Sequence, residues 1–253
     1  MTRWFHDLET SGVSTLLCDA DGTLFPSEEP AYDASAEVTN RFLAQLGAER
    51  TFTPVELQGM TNGKNFRAAA AQLAEEYGRT LDPAEIDDWV RQEKDVVTRH
   101  LEQVLRPDPE VTGPVADLGQ RFLLAAVTSS AASRLDACLR VCGLDDLFAP
   151  DRRFSAEDSL PTPTSKPHPA VYAFAGRRLG VTGRQAVAVE DSVNGALSAV
   201  AAGFATIGTV QFVPDDLRAA RVEALAEAGV AVVVDSWAEV VQLFDAVPAG
   251  TRE

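Results

Sequence analysis

Thr15-Leu16-Leu17-Cys18-Asp19-Ala20-Asp21-Gly22-Thr23-Leu24 joins a short β-prone run to two aspartates and a glycine. A strand covered on both faces reads as a continuous apolar run rather than an alternation. Similar runs recur at Leu123–Val127, Ala186–Val189, Ala205–Ile207 and Val230–Val234. Helical patterns lie between them at Ala131–Cys142, Pro169–Leu179, Val193–Ala202 and Leu217–Ala228. Each stops at a glycine (Gly143, Gly180, Gly203, Gly229), the residue that best tolerates a left-handed helix cap. Strand and helix in alternation predict an α/β fold with a doubly wound parallel sheet.

The stretch from Ser27 to Leu105 breaks that rhythm and reads as helices alone. Val38, Phe42, Leu43 and Leu46 form one apolar stripe, and Phe66, Ala69, Ala70, Leu73 and Tyr77 a second. Asp82-Pro83-Ala84-Glu85 opens a third helix with an N-cap Asp, a first-turn Pro and a Glu three residues on. Its stripe is Ile86, Val90, Val97, Leu101 and Leu105. Arg106-Pro107-Asp108-Pro109 punctuates the return. The expected domains are therefore a core of residues 1–26 and 107–253 and a helical insert of residues 27–106.

Composition removes several classes of function. Lys and Arg number 22 against 38 Asp and Glu, a net charge of −16. A nucleic-acid binder needs a basic face, and an anionic membrane surface repels such a chain. Three cysteines in 253 residues form no disulfide framework, which fits a reducing compartment and a cytoplasmic enzyme. Cys138 and Cys142, one helical turn apart, read as buried helix residues. The N-terminus lacks the apolar core of a signal peptide. Ser192–Pro214 carries no charge, but Gly195, Gly203 and Gly208 interrupt it, so it reads as a buried helix and strand rather than a membrane span. No nucleic acid and no membrane is expected as a partner, and the chain is expected to be a monomer or weak homodimer.

Ligands of open α/β sheets bind at the carboxyl ends of the strands. Here the first strand ends in Asp19-Ala20-Asp21-Gly22 and the second in Thr128-Ser129-Ser130. Lys166-Pro167-His168-Pro169 opens the helix before the third strand, which ends in Glu190-Asp191-Ser192. Acids, hydroxyls and one lysine thus converge on one edge from four segments. Crowded carboxylates call for a hard cation, and Mg²⁺ suits one or two carboxylates plus a substrate phosphate. A carboxylate can also attack phosphorus to give an aspartyl-phosphate. Asp19 and Asp21 would leave a continuing strand on opposite faces, so the chain must turn after Asp19, and Gly22 supplies the freedom to do so. Gly22, Thr128 and Ser129, with nearby backbone N–H groups, and Lys166 are positioned to hold phosphoryl oxygens.

Asp19-Ala20-Asp21-Gly22-Thr23-Leu24, Thr128, Lys166-Pro167 and Glu190-Asp191-Ser192-x-x-Gly195 resemble the four motifs of the haloacid dehalogenase superfamily. The resemblance extends through Ala201-Ala202-Gly203 and covers the Rossmann-like core. The insert sits where the helical cap of phosphoglycolate phosphatases and β-phosphoglucomutases sits. The resemblance implies a Mg²⁺-dependent phosphatase with Asp19 as nucleophile and Asp21 as general acid and then base. It implies a metal held by Asp19, the Asp21 backbone carbonyl and Asp191, with Glu190 a ligand or a partner behind the ligands. Thr128 and Lys166 would bind the phosphoryl group. Dehalogenases of the superfamily lack the second motif aspartate, so Asp21 argues against that chemistry. The mutases carry a histidine twelve positions after the nucleophile, where this chain has Ala31, which favours hydrolysis over a β-phosphoglucomutase-like reaction.

Gly59–Arg67 is the expected substrate loop of the insert, with Thr61, Asn62, Lys64 and Arg67 as candidate specificity residues. Its alternative is a plain helix–helix connection with solvated cations. Two readings of another class remain: a receiver-like phospho-binding module and a catalytically silent binding protein. Receivers place the acidic pair first and the phosphoacceptor several strands later, in about half this length, and have no counterpart to the insert.

Overall fold

The computed structural model describes residues 2–61 and 66–245. By their contacts they form two compact units, one of them Ser27–Leu105 and the other the remainder. In the larger unit seven strands form one sheet: β1 (Arg3–Trp4), β2 (Thr15–Cys18), β3 (Leu123–Thr128), β4 (Arg153–Ser155), β5 (Ala186–Glu190), β6 (Ala205–Thr209) and β7 (Val232–Val234). Their order is β1-β7-β6-β5-β2-β3-β4, parallel throughout except for the β1–β7 pair. The chain builds outward from β2 through β3 to β4, then returns to the other side of β2 for β5, β6 and β7. The switch point therefore lies at β2, where an open α/β sheet leaves a crevice at its carboxyl edge.

Register then aligns the site. Cys18 pairs with Ala126 of β3 and Val189 of β5. One step on, Asp19 stands level with Val127 and Glu190, and its N–H donates to the Val189 carbonyl at 2.9 Å. β2 and β5 are buried at every position, as their apolar runs require. Leu17, Ala125, Val127, Ala186 and Ala188 form the core beneath the site with Val171, Tyr172 and Ala175 of α7 (Ala170–Leu179). The four glycines expected to end helices all have positive φ. Cys138 of α6 (Ala132–Val141) and Cys142 at its end are buried, as is Cys18, and none forms a disulfide. The uncharged stretch after Ser192 forms helix α8 (Val193–Ala201) and strand β6. No helix of the described residues is long and apolar enough to cross a membrane.

Several elements escaped the sequence reading. β1 and β4 are two and three residues long, too short to show a pattern. Asp108-Pro109 is more than punctuation: Asp108 caps helix α5 (Pro109–Gly119) by accepting from the Glu110 N–H at 2.9 Å. Helix α9 (Asp215–Glu227) begins two residues earlier than expected, and α10 (Trp237–Asp245) follows β7.

The helical unit contains α1 (Glu28–Gln45), α2 (Pro54–Thr61), α3 (Phe66–Glu76) and α4 (Pro83–Val104). Val38, Phe42, Leu43 and Leu46 are buried as predicted, and Phe42 meets Trp89 edge-on at 5.4 Å. Trp89, absent from the predicted α4 stripe, is buried, whereas Ile86 and Val90 are only partly so. Tyr77 lies past the end of α3 and is 38% exposed, so the stripe of that helix ends at Leu73 and Ala74. Asp82 caps α4 through the Ala84 N–H, while Glu85 accepts from Gln45 of α1 at 2.8 Å.

Candidate active site

The turn after β2 solves the facing problem of the two aspartates. The Ala20 carbonyl accepts from Thr23 N at 3.2 Å and Leu24 N at 2.9 Å, and Gly22 N donates to the Phe25 carbonyl at 2.9 Å. Gly22 has φ +81°, and a Cβ there would overlap the Asp191 carboxylate. Glycine is thus required twice, for the turn and for the close approach. The turn sends Asp21 to the β3 side, where Ser130 Oγ at 2.8 Å and Thr128 Oγ1 at 3.3 Å donate to its Oδ2. Thr128 Oγ1 accepts in turn from the Ser130 N–H at 2.9 Å.

Asp19 remains over the sheet with the other charges. Lys166 Nζ donates to Asp19 Oδ1, to Glu190 Oε1 at 2.6 Å and to the Val127 carbonyl at 2.8 Å. The Ser129 hydroxyl accepts from the Lys166 N–H at 3.1 Å and so holds the lysine's backbone against β3. Tyr172 Oη donates to the same Glu190 Oε1 at 2.6 Å, and the Lys166 ammonium lies 5.0 Å from its ring centroid. All four side chains are buried. Burial first, and then the Glu190 carboxylate, pushes the Asp19 carboxyl well above the usual carboxylate range. Burial pulls Lys166 down, but Asp19 and Glu190 together outweigh it and hold the ammonium above its ordinary value. Burial, with Glu190 beside it, keeps the Tyr172 phenol protonated.

Asp191 completes the cluster. Its Oδ1 accepts from Thr23 Oγ1 at 3.0 Å. Asp19, Glu190 and Asp191 each offer a carboxylate oxygen, all within 4.8 Å of one another. Three buried carboxylates against one ammonium are an all-oxygen donor set short of positive charge, which fits a hard divalent cation. Glu190 Oε1 accepts from both Lys166 and Tyr172, while Asp19 Oδ1 accepts from Lys166 and Asp191 Oδ1 from Thr23. Ser192 caps α8 through the Gly195 N–H at 3.0 Å, and a Cβ on Gly195 would overlap the Glu190 carboxylate. Gly195→Ala is therefore expected to cost about 1–3 kcal/mol in a thermal melt by overpacking. Gly59→Ala, in open space on α2, should instead gain about 0.5–1 kcal/mol.

Asp19, Asp21, Gly22, Thr128, Ser129, Lys166, Glu190 and Asp191 thus meet at one edge of the sheet. The candidates in the helical unit fare differently. Gly59, Met60 and Thr61 belong to α2, and Phe66 and Arg67 to α3. Asn62 and Lys64 lie outside the described residues. Thr61 is buried, donates to the Gln58 carbonyl at 3.2 Å and meets the Tyr32 hydroxyl at 3.3 Å. Arg67 pairs with Asp87 of α4 at 2.6 Å. The sequence reading missed Tyr172, one of a row of apolar residues in α7, and gave Thr23 and Ser130 no task. It also missed Arg221 of α9, whose Nη1 donates to the Asp191 carbonyl at 2.7 Å.

The family model for haloacid dehalogenase-like hydrolases matches residues 13–203. Protein CbbY of Cupriavidus necator is 30% identical, over 78% of this chain and 78% of its own. A phosphoglycolate phosphatase of Haemophilus influenzae is 28% identical over 75% of this chain and 82% of its own. The crystal structure of CbbY from Rhodobacter sphaeroides in complex with phosphate superposes with a TM-score of 0.70 at 25% identity, covering 90% of this chain and 96% of that one. Motifs, sheet order and likenesses converge, and the chain belongs to the haloacid dehalogenase-like hydrolases as an enzyme of the phosphatase kind.

Proposed function

We propose that the chain is a Mg²⁺-dependent phosphatase of small phosphorylated metabolites, such as a sugar phosphate or phosphoglycolate, working through an aspartyl-phosphate. One observation carries this reading. A buried carboxylate, Asp19, touches a buried ammonium, and a second carboxylate two residues on is held separately by two hydroxyls.

Asp19 attacks phosphorus, and the bond from phosphorus to the leaving oxygen breaks. Asp21, held by Ser130 and Thr128, gives that oxygen a proton. Asp21 then takes a proton from water as the water attacks the phosphorus of the aspartyl-phosphate, which releases inorganic phosphate and restores Asp19. Lys166 stabilises charge on the transferring phosphoryl oxygens throughout, and Glu190 with Tyr172 fixes the ammonium in place. Asp19, Asp191 and the Asp21 carbonyl would hold Mg²⁺, which when bound supplies further positive charge to the phosphoryl oxygens. The names of the relatives support the substrate class, and Ala31 favours water over a second sugar as acceptor. Three buried thiols, none in a disulfide, support a reducing cytoplasm. The helical unit, Ser27–Leu105, is proposed as the domain that selects the leaving group.

A panel of phosphomonoesters assayed with Mg²⁺ and with EDTA tests the reading. Hydrolysis of small members is expected in Mg²⁺, abolished by EDTA and restored by excess Mg²⁺. Asp191→Ala should shift the Mg²⁺ dependence of the rate by about tenfold or more. Full turnover in chelator, or none on any phosphomonoester, would overturn the proposal.

A further inference from the structure

Lys166 leaves the cluster of Asp19, Glu190 and Asp191 with two uncompensated negative charges. Part of that deficit is met from α9. Arg221 Nη1 donates to the Asp191 main-chain oxygen at 2.7 Å and stands 3.6 Å from Asp191 Oδ2. The first contact is a hydrogen bond, and the second is too long for one and acts as a Coulomb contact. The main-chain bond therefore parks the guanidinium beside the carboxylate without engaging Oδ2 as an acceptor. The other carboxylate oxygen is held by Thr23, whose carbonyl accepts from Trp237 Nε1 at 2.8 Å. Arg221 and Trp237 both lie beyond residue 203, where the family match ends.

We propose that Arg221 is a positioning residue that serves as a fixed counter-charge to Asp191 and so sets how tightly the carboxylate cluster takes a divalent cation. This rests on the metal site proposed above. Arginine suits the task because it stays charged at every working pH, and its Nη1 faces the carbonyl and the carboxylate together. With it in place the cluster carries one net negative charge, and without it two. The Arg221 side chain is 30% exposed, so solvent screens part of its field. Its removal should tighten divalent binding by about three- to tenfold. The same removal leaves the metal-free protein with more unrelieved repulsion among buried acids.

The test uses the full-length protein stripped with chelator, titrated with MgCl₂ by calorimetry and melted with and without the ion. Arg221→Met should lower the Mg²⁺ dissociation constant by about three- to tenfold. It should also lower the metal-free melting temperature and enlarge the rise that Mg²⁺ produces. Arg221→Lys, which keeps the charge, should stay within about twofold of the wild type in affinity. Loss of packing alone would lower both melting temperatures equally and leave the affinity unchanged. Equal or weaker Mg²⁺ binding by Arg221→Met therefore overturns the counter-charge role. Should that variant fail to fold, Arg221→Gln carries the same expectation. A wild-type protein that binds no Mg²⁺ would overturn the metal reading itself, and this inference with it.

Discussion

Asp19→Asn should reduce turnover by about 10³-fold or more while making the protein harder to melt. The first half follows from chemistry. An amide keeps the shape and still accepts from Lys166, but it has no charge with which to attack phosphorus. The second half follows from the cost of the charge. Burial and Glu190 raise the Asp19 pKa in the folded chain. A carboxyl raised above its unfolded value contributes stability at pH below that unfolded value and loses it as pH rises through the folded one. At neutral pH the ionised side chain is therefore a liability, and the amide removes it. Thermal melts in EDTA should show a higher midpoint for Asp19→Asn at pH 7, with the gain shrinking towards acid pH. A variant retaining a tenth of wild-type turnover would rule out attack by Asp19. A lower midpoint at neutral pH would show that pairing with Lys166 outweighs desolvation.

Lys166→Met should fail in both respects. It strands Asp19 and Glu190 as buried carboxylates with their common cation gone, and breaking such a group from one side costs about 3–5 kcal/mol. Turnover should fall by about 10²-fold or more, because the donor for the phosphoryl oxygens is lost. The sign of the pH dependence is opposite to that of Asp19. A lysine raised above its unfolded pKa contributes fully below the unfolded value and loses its contribution only as pH rises through the folded one. The ion-pair contribution is thus present throughout the neutral range and fades only on the alkaline side. Combining Lys166→Met with Glu190→Gln should recover much of the stability and none of the rate. Recovery of the rate as well would mean that Lys166 only balances Glu190.

Which residues meet at the sheet edge was readable from the sequence because parallel strands place their carboxyl ends together whatever the chain does between them. Asp19, Thr128 and Glu190 end or follow three such strands, and each is preceded by an apolar run that cannot be mistaken for surface. Gly22 was readable for the same local reason, since two facing aspartates demand a turn. Tyr172 was not, because in the sequence it is one more apolar residue of a core helix, and only the packing of α7 against the sheet aims its hydroxyl at Glu190. Arg221 was hidden differently. It lies in a charge-rich helix where one more arginine reads as solvated, and its partner is a backbone carbonyl that no sequence pattern marks. Gly59–Thr61 read as part of a loop because a glycine often marks one, whereas α2 runs through Gly59 as far as Thr61. Strands of two or three residues carry too few side chains for any period to emerge.

One of those short strands has a consequence for how the protein keeps to itself. β7 is Val232-Val233-Val234, buried throughout, and without β1 it would be the outermost strand of the sheet. A bare valine edge with free N–H and C=O groups is a template on which another chain can build. β1 covers that edge with two residues in antiparallel register and is fastened there by the Arg3–Asp235 ion pair and the Thr2–Glu239 hydrogen bond. Its short length and the charge on Arg3 make it a poor template in its turn. The few residues before β2 thus work as a seal against edge-to-edge self-assembly, far in the fold from the chemistry they protect.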